Sequence, residues 1–307
     1  MVRVKGRIMG KNRILITGGT GLLGKALIET GGDAKIGAAY IGAYNMQDGA
    51  NVAYHKADIC KKDEMRSLFD KARPQVVIHT AGAASVDYCE RNYDVARNSN
   101  VFGTQVITEL CREYGSEMAF ISTNAVFDGK SAPYSEDDKP SPINKYGEMK
   151  LEGEKIVRES GLKHLIVRPI LMYGWNNKNE RSNPVTWLIQ KLGRGEGVKM
   201  VNDVFENPLL NTSCAEIIWA LIRSGKEGLY HIAGKDILNR YEFALLVADI
   251  FGLNRALISS VSSAAFKDLA PRPSNTSYNT AKIERELKIK LLTVKEGLEL
   301  MKKSAQG

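Results

Sequence analysis

A glycine-rich turn near the start of the chain restricts the fold more than any other feature of the sequence. The apolar run 14–16 is too short for a helix, and the segment 17–21, Thr-Gly-Gly-Thr-Gly, separates it from helix-forming residues at 22–29. This order predicts a strand, a tight turn and a helix. We expect the rest of the chain to be organised around this unit.

The spacing of the three glycines in this turn suits a phosphate group. Glycine at 18, 21 and 24 lets the backbone turn sharply, approach a pyrophosphate and pack the helix on the strand, while N–H groups at the helix start face the ligand. An ordinary glycine-rich turn fits the same residues, so the pattern alone leaves both interpretations open. In the first interpretation the cofactor-binding residues are Gly18, Gly21, Leu22, Leu23 and Gly24.

The charge distribution does not indicate a nucleic-acid partner. The 307-residue chain has a net charge of +8, but five cations and no acid fall within residues 1–13, and the rest of the chain carries +3. We expect residues 1–12 to form a basic N-terminal extension, which lacks the apolar core of a signal peptide. No apolar stretch approaches the roughly 18 residues of a membrane span. The expected location is therefore cytoplasmic, without a membrane partner.

Metal binding and serine hydrolysis are not indicated either. The four cysteines and four histidines are dispersed and have none of the short spacings of zinc ligands. The G-x-S-x-G motif of serine hydrolases is absent from the sequence. We therefore expect no metal site.

Beyond the glycine turn, strand-like and helix-like segments alternate. Short apolar runs predict strands at 35–43, 52–55, 76–79, 118–122 and 164–169, with helices at 61–72, 87–114 and 144–156. The alternation predicts an α/β fold, a Rossmann-type doubly wound parallel sheet with helices on both faces. We expect a dinucleotide-binding domain at 13–172. Residues 173–307 should form mainly a smaller C-terminal substrate-binding lobe, with some segments returning to the first domain.

Three further segments bear on a dinucleotide cofactor. Residues 40–45 contain no acid for the ribose hydroxyls, which favours NADP over NAD, but they contain no arginine for a 2′-phosphate, so both cofactors stay open. Asp58 and Ile59 follow the third strand, where the acid would either reach the adenine or cap the next helix. Ala81 and Gly82 follow the fourth strand, where small residues admit a cofactor or simply pack.

The residues suited to catalysis lie between 122 and 150. A strand ends at Ser-Thr-Asn, 122–124, and Tyr146 and Lys150 share one face of the following helix. A lysine ammonium and the positive ring of a cofactor would lower the pKa of the tyrosine from about 10 towards neutrality. Such a tyrosine can exchange a proton with a carbonyl or alcohol oxygen, which Thr123 could also hold.

These motifs resemble those of the extended short-chain dehydrogenases over nearly the whole chain, and within them the dTDP-4-dehydrorhamnose reductases most. The matching segments are 17–24, 58–59, 85–90, 122–129, 146–154 and 272–273. The resemblance implies that Thr123 orients the substrate oxygen, that Tyr146 is the general acid, and that Lys150 binds the nicotinamide ribose while tuning Tyr146. It also implies a sugar-nucleotide pocket. The substrate-binding candidates are Asn124, Val126 and Arg272, with Lys178 and Arg181 as further cations that either meet a pyrophosphate or face solvent.

One departure from the reductase pattern concerns the substrate. These reductases usually carry Asp after the Ser-Thr pair, whereas this chain has Asn124. A non-enzymatic relative, the regulatory subunit of methionine adenosyltransferase, also resembles the chain around this residue. The sequence therefore predicts an NAD(P)H-dependent reductase of the 4-keto group of a nucleotide-activated deoxysugar. A nucleotide-sugar 4-epimerase and a non-catalytic NADP-binding regulatory subunit are the alternatives, and a homodimer is an open expectation.

Overall fold

The strands and helices follow the predicted alternation. The computed structural model describes residues 13–42, 44, 46–177, 180–266 and 269–305, so the expected extension 1–12 lies outside the described residues. The strands are β1 (Arg13–Thr17), β2 (Lys35–Tyr40), β3 (Val52–Lys56), β4 (Val76–His79), β5 (Glu117–Ile121), β6 (His164–Pro169), β7 (Met172–Tyr173), β8 (Val198–Val201), β9 (Phe205–Glu206), β10 (Leu209–Leu210), β11 (Gly228–Ile232), β12 (Leu238–Asn239) and β13 (Ile258–Val261).

Eleven α-helices are found within the described ranges, and none of these helices has the length and apolar character needed to cross a membrane. They are α1 (Leu22–Thr30), α2 (Lys62–Ala72), α3 (Val86–Arg91), α4 (Tyr93–Arg97), α5 (Gly103–Tyr114), α6 (Lys145–Glu159), α7 (Pro184–Gly193), α8 (Asn211–Arg223), α9 (Arg240–Phe251), α10 (Ala281–Leu287) and α11 (Val294–Ser304).

Seven strands form one parallel sheet in the order β11-β6-β5-β4-β1-β2-β3. Neighbouring residues of β1 enter different cores, since Ile14 and Ile16 pack on one face with Leu27 of α1, whereas Leu15 packs on the other with Phe69 of α2. A parallel sheet buried on both faces is what near-continuous apolar strands require. The prediction of a Rossmann-type doubly wound sheet is confirmed.

The prediction of one continuous helix over 87–114 is wrong. The chain instead forms α3, α4, a π-helical turn at Asn98–Phe102, and α5. Asparagine side chains interrupt it, because Asn92 Nδ2 donates to the carbonyl of Tyr88 and Asn100 Nδ2 donates to the carbonyls of Ala83 and Ala96. Side chains of this kind compete with the backbone for helical hydrogen bonds.

A second core lies in the C-terminal part of the chain. Helices α7, α9 and α11 bury Leu188, Phe243 and Leu298 against one another, and the short pairs β8–β13 and β9–β12 lie among these elements. Strand β11 returns to the main sheet, and Trp219 of α8 donates its indole N–H to the carbonyl of Leu27. The domain boundaries stay a prediction, but these contacts agree with a lobe whose segments are discontinuous.

A buried ion pair joins helix α6 to strand β6. Glu154 of α6 accepts hydrogen bonds at 2.7 Å from both Nε and Nη2 of Arg168 on β6, and both side chains are essentially inaccessible to solvent. Ser122 Oγ donates to the same carboxylate at 2.6 Å, and the half-exposed Arg158 donates at 2.8 Å. Strand β5, helix α6 and strand β6 are thereby fixed relative to one another.

Replacing Glu154 by Gln should destabilise the protein strongly. The neutral side chain leaves the Arg168 cation buried without a counter-charge, and breaking such a pair costs about 3–5 kcal/mol of unfolding free energy. Urea unfolding monitored by circular dichroism measures the change. The matched control is Glu152→Gln on the same helix, whose exposed pair with Arg97 should contribute at most about 1 kcal/mol. Equal losses in the two variants would contradict this account.

Candidate active site

The glycine turn lies where the strand order of the sheet reverses, between the carboxyl ends of β1 and β4. Gly18 has a φ of +74°, and a Cβ on Gly24 would lie 2.1 Å from the carbonyl oxygen of Gly18, so only glycine allows α1 to start this close to the strand. Helix α1 begins after Gly21 without a side-chain cap and without an acid in its first turn. Its first N–H groups, from Leu22 and Leu23 onward, therefore form a suitable anion site.

A buried hydrogen-bond chain fixes the ends of β1 and β4, and sequence reasoning missed it. Thr17 Oγ1 lies 2.7 Å from His79 Nδ1, and His79 Nε2 lies 3.1 Å from Thr104 Oγ1 on α5. Burial lowers the pKa of His79 to about 3, so the ring is neutral and its two nitrogens act as one donor and one acceptor. The sequence signal for this hydrogen-bond chain was a single histidine, His79, at the end of a predicted strand.

Two of the other predicted cofactor-binding residues lie beside the glycine turn, and two follow β3. Ala81 and Gly82 lie beside the glycine turn, since Ala81 N donates weakly to Thr17 Oγ1 at 3.4 Å. Asp58 is half-buried and accepts a hydrogen bond from Cys60 N, while Ile59 is buried in the core. Helix α2 has Lys61 as its N-cap, so the alternative that Asp58 caps this helix is wrong.

A loop from the C-terminal part of the chain reaches the glycine turn. Asn177 Nδ2 donates to the carbonyl of Thr20 at 2.8 Å, and the Tyr44 hydroxyl donates to Glu180 Oε1 at 2.5 Å. The hydrogen bond to Glu180 raises the pKa of Tyr44. Glu180, far away in sequence, therefore places a carboxylate beside residues 40–45, which contain no acid of their own. Lys178 lies outside the described residues.

The three predicted catalytic residues lie together at the end of β5 and the start of α6. Asn144 caps α6 by accepting a hydrogen bond from Gly147 N at 2.9 Å, which fixes the helix start one residue before Tyr146. A Cβ on Gly147 would lie 2.1 Å from the carbonyl oxygen of Ala125, so glycine lets the helix approach the short 3-10 turn Asn124–Val126. Thr123 lies close enough to Tyr146 to lower the pKa of its hydroxyl.

Burial controls the ionisation of this group in the chain alone. It raises the pKa of Tyr146 to about 12, although the interaction with Thr123 opposes the shift, and it lowers the pKa of Lys150 to about 8 against the attraction of Glu154. Lys150 Nζ lies 4.1 Å from the centre of the Phe120 ring. The expected shift of the tyrosine pKa towards neutrality involves the positive ring of a bound cofactor and stays a prediction, whereas in the chain alone desolvation of the phenolate outweighs its other interactions.

The three predicted substrate-binding residues lie in different surroundings. Asn124 donates from Nδ2 to Glu206 Oε1 at 3.0 Å and to Thr276 Oγ1 at 2.6 Å. The Val126 side chain is fully buried in the core. Arg272 is partly exposed and pairs at 2.7 Å with Asp87. Of the three residues, only Arg272 presents an accessible charged side chain.

The predicted catalytic residues are separate from an open groove on the opposite edge of the sheet. This groove has a volume of about 740 Å³ and is lined by Arg13, Arg66, Arg73 and the acids Asp70 and Glu113, among others. None of the predicted site residues lines it. Over the described ranges no cluster of three or more potential metal ligands is found.

Comparisons with known proteins extend over most of the chain. The family model described as RmlD substrate binding domain matches residues 12–306. A dTDP-4-dehydrorhamnose reductase from Aggregatibacter actinomycetemcomitans is 28% identical over 285 residues, covering 89% of this chain and 92% of the relative. The methionine adenosyltransferase 2 subunit beta of Danio rerio is 28% identical over 278 residues, covering 89% of this chain and 84% of the relative.

One solved structure has a similar fold over nearly the whole chain. The dTDP-4-dehydrorhamnose reductase of Bacillus anthracis str. Ames, solved in complex with NADP, has a TM-score of 0.84 and 26% sequence identity, and the match covers 96% of this chain and 99% of that structure. Together with the family model, this similarity confirms the resemblance inferred from the sequence motifs.

The ionisation of Lys150 can be measured directly. We expect one lysine of the cofactor-free protein to titrate near pH 8, well below the ordinary lysine pKa of about 10.4, because burial disfavours its charged form. Nuclear magnetic resonance of the lysine side-chain 13Cε signals follows this titration. Lys150→Met should remove the signal, whereas Lys155→Met, on the exposed face of α6, should leave it in place. A protein in which no lysine titrates below pH 9.5 would contradict the expectation.

Proposed function

The chain belongs to the RmlD substrate-binding domain family, and from this premise we propose that it is an NAD(P)H-dependent reductase of the 4-keto group of a nucleotide-activated deoxysugar. The observation that carries the proposal is the assembly of Thr123, Tyr146 and Lys150 at the carboxyl edge of the parallel sheet. Ligands of such sheets bind at this edge. Nucleotide sugars reduced by relatives of 26–28% identity give the substrate class.

The glycine turn fits the pyrophosphate of a nicotinamide dinucleotide. Helix α1 starts without a capping side chain, and Gly18 and Gly24 leave no Cβ where a phosphate and the strand must come close. Ala81 and Gly82 continue this surface beside the end of β4. The bound cofactor would supply a hydride to the keto carbon.

We assign the accompanying proton to Tyr146. Its pKa lies well above neutral pH, so the phenol is protonated and can donate to the keto oxygen as negative charge develops there. Thr123 would hold the same oxygen by a hydrogen bond. Lys150, still mainly charged below its pKa of about 8, would stabilise the phenolate left by proton transfer.

Tyr146→Phe should reduce turnover about a hundredfold or more, because it removes the acid while retaining the aromatic ring. The test is NADPH and NADH oxidation with dTDP-4-keto-6-deoxy-L-lyxo-hexose. Tyr114→Phe is the control, since its hydroxyl contacts Asp70 near the opposite edge of the sheet and its loss should leave turnover unchanged. Turnover close to that of the unmodified chain in Tyr146→Phe would exclude Tyr146 as the acid.

Two other functions are tested by the same preparation. A 4-epimerase would use the same tyrosine and lysine but retain its cofactor, so cofactor that stays bound through purification would favour it. The similarity to methionine adenosyltransferase 2 subunit beta favours a regulatory binding protein as the second candidate. Stable capture of another enzyme, with no turnover of either coenzyme, would support that function.

A cytoplasmic location and a homodimer also belong to our proposal. Light scattering tests whether the protein is a homodimer.

Glu180 should influence the choice of coenzyme. Its carboxylate lies at the Tyr44 hydroxyl, beside the loop that follows β2, where a ribose acid favours NADH and a 2′-phosphate would be repelled. We expect Glu180→Gln to tighten NADPH binding relative to NADH by about fivefold to tenfold, measured by fluorescence titration. The control is Glu227→Gln, an exposed residue paired with Lys163. An unchanged affinity ratio in Glu180→Gln would show that the carboxylate does not select the coenzyme.

A further inference from the structure

The side chain of Asn124 has its polar atoms engaged within the protein. Nδ2 donates to Glu206 Oε1 at 3.0 Å and to Thr276 Oγ1 at 2.6 Å, and Oδ1 accepts a hydrogen bond from Thr123 Oγ1 at 3.3 Å. The orientation of the amide follows from chemistry, because an ionised carboxylate only accepts hydrogen bonds and must face the NH2 group. No N–H of this side chain remains to bind a substrate.

The partners of Asn124 come from distant segments of the C-terminal part. Glu206 lies on β9, is 7% exposed, and pairs across the two-stranded sheet with Leu238 of β12. Arg240 is the first residue of α9, and its Nη2 lies 2.5 Å from Glu206 Oε2. The two groups form an ion pair, but their geometry is not that of a hydrogen bond. Thr276 is 2% exposed and hydrogen-bonds through its backbone to Phe205. One amide therefore connects the end of β5 to both segments.

The charge of Glu206 requires an amide at position 124. An aspartate there would place two carboxylates within hydrogen-bond distance in a buried environment, where like charges cannot both remain ionised without a large cost. It would also attract the Thr123 hydroxyl more strongly than an amide oxygen does, since hydrogen bonds to charged acceptors are the stronger ones. Thr123 would then be drawn away from Tyr146.

We propose that Asn124 and Glu206 form an amide–carboxylate latch, in which Asn124 is a positioning residue and not a substrate ligand. The latch holds β9 and the segment at Thr276 against the end of β5. It also sets the direction of the Thr123 hydroxyl, which connects the latch to Tyr146. The catalytic consequence rests on the proposed reductase function, whereas the latch itself is a property of the folded chain.

A charge-swap series tests the latch. Asn124→Asp and Glu206→Gln should each lower kcat about tenfold or more and leave the Kd of the coenzyme within about twofold, because the glycine turn is not disturbed. The double variant Asn124→Asp/Glu206→Gln restores one amide and one carboxylate with exchanged positions. Its kcat should stay below that of the unmodified chain, because the aspartate at position 124 still attracts the Thr123 hydroxyl. Asn202→Asp and Glu152→Gln, both exposed, are the matched controls and should leave kcat unchanged.

Thermal unfolding of the same variants gives a readout that does not depend on catalysis. The single variants should unfold at lower temperature than the unmodified chain, and the double variant should recover most of the loss. A double variant no more stable than the worse single variant, or Asn124→Asp with unchanged kcat and unfolding temperature, would overturn the latch. If the unmodified chain reduces no nucleotide sugar, the proposed function fails, and the unfolding cycle still decides whether the latch exists.

Discussion

The carboxylate of Glu154 holds together the elements that carry the proposed catalytic residues. A buried carboxylate is costly unless several donors satisfy it, and here Arg168 supplies two hydrogen bonds while Ser122 and Arg158 supply one each. Ser122 directly precedes Thr123, and Glu154 follows Lys150 by one helical turn. The ion pair therefore fixes both sides of the active site at once.

The same packing determines how these groups ionise. Tyr146 is partly buried and Lys150 is almost fully buried, which raises the pKa of the phenol and lowers the pKa of the ammonium. Glu154 opposes the second shift and favours the charged lysine. A protonated tyrosine beside a charged lysine suits proton donation, which is the direction that ketone reduction requires. Tyr146 is therefore present in its acid form, and Glu154 helps to retain the cation that would stabilise its conjugate base.

The parts of the site that depend on local sequence could be predicted. The turn at Gly18–Gly24 follows from glycine spacing, and the common face of Tyr146 and Lys150 follows from helical geometry. The parts that depend on distant contacts could not. Glu180 reaches Tyr44 across 136 residues and Glu206 reaches Asn124 across 82, and no local pattern marks either acid. The break at Asn92 was missed because the surrounding apolar spacing is helical, although asparagine side chains that bond to the backbone override it.

Asn124 does not by itself distinguish a reductase from a regulatory protein. If its side chain were free in the cleft, replacing the usual aspartate would remove a charged substrate contact and argue against catalysis. Because Glu206 and Thr276 already occupy its N–H groups, the residue reflects the charge of its partner on β9. The distinction then depends on whether Tyr146 can transfer its proton. Thr123 and the charge of Lys150 lie beside this proposed acid, so the departure at position 124 is compatible with an active enzyme.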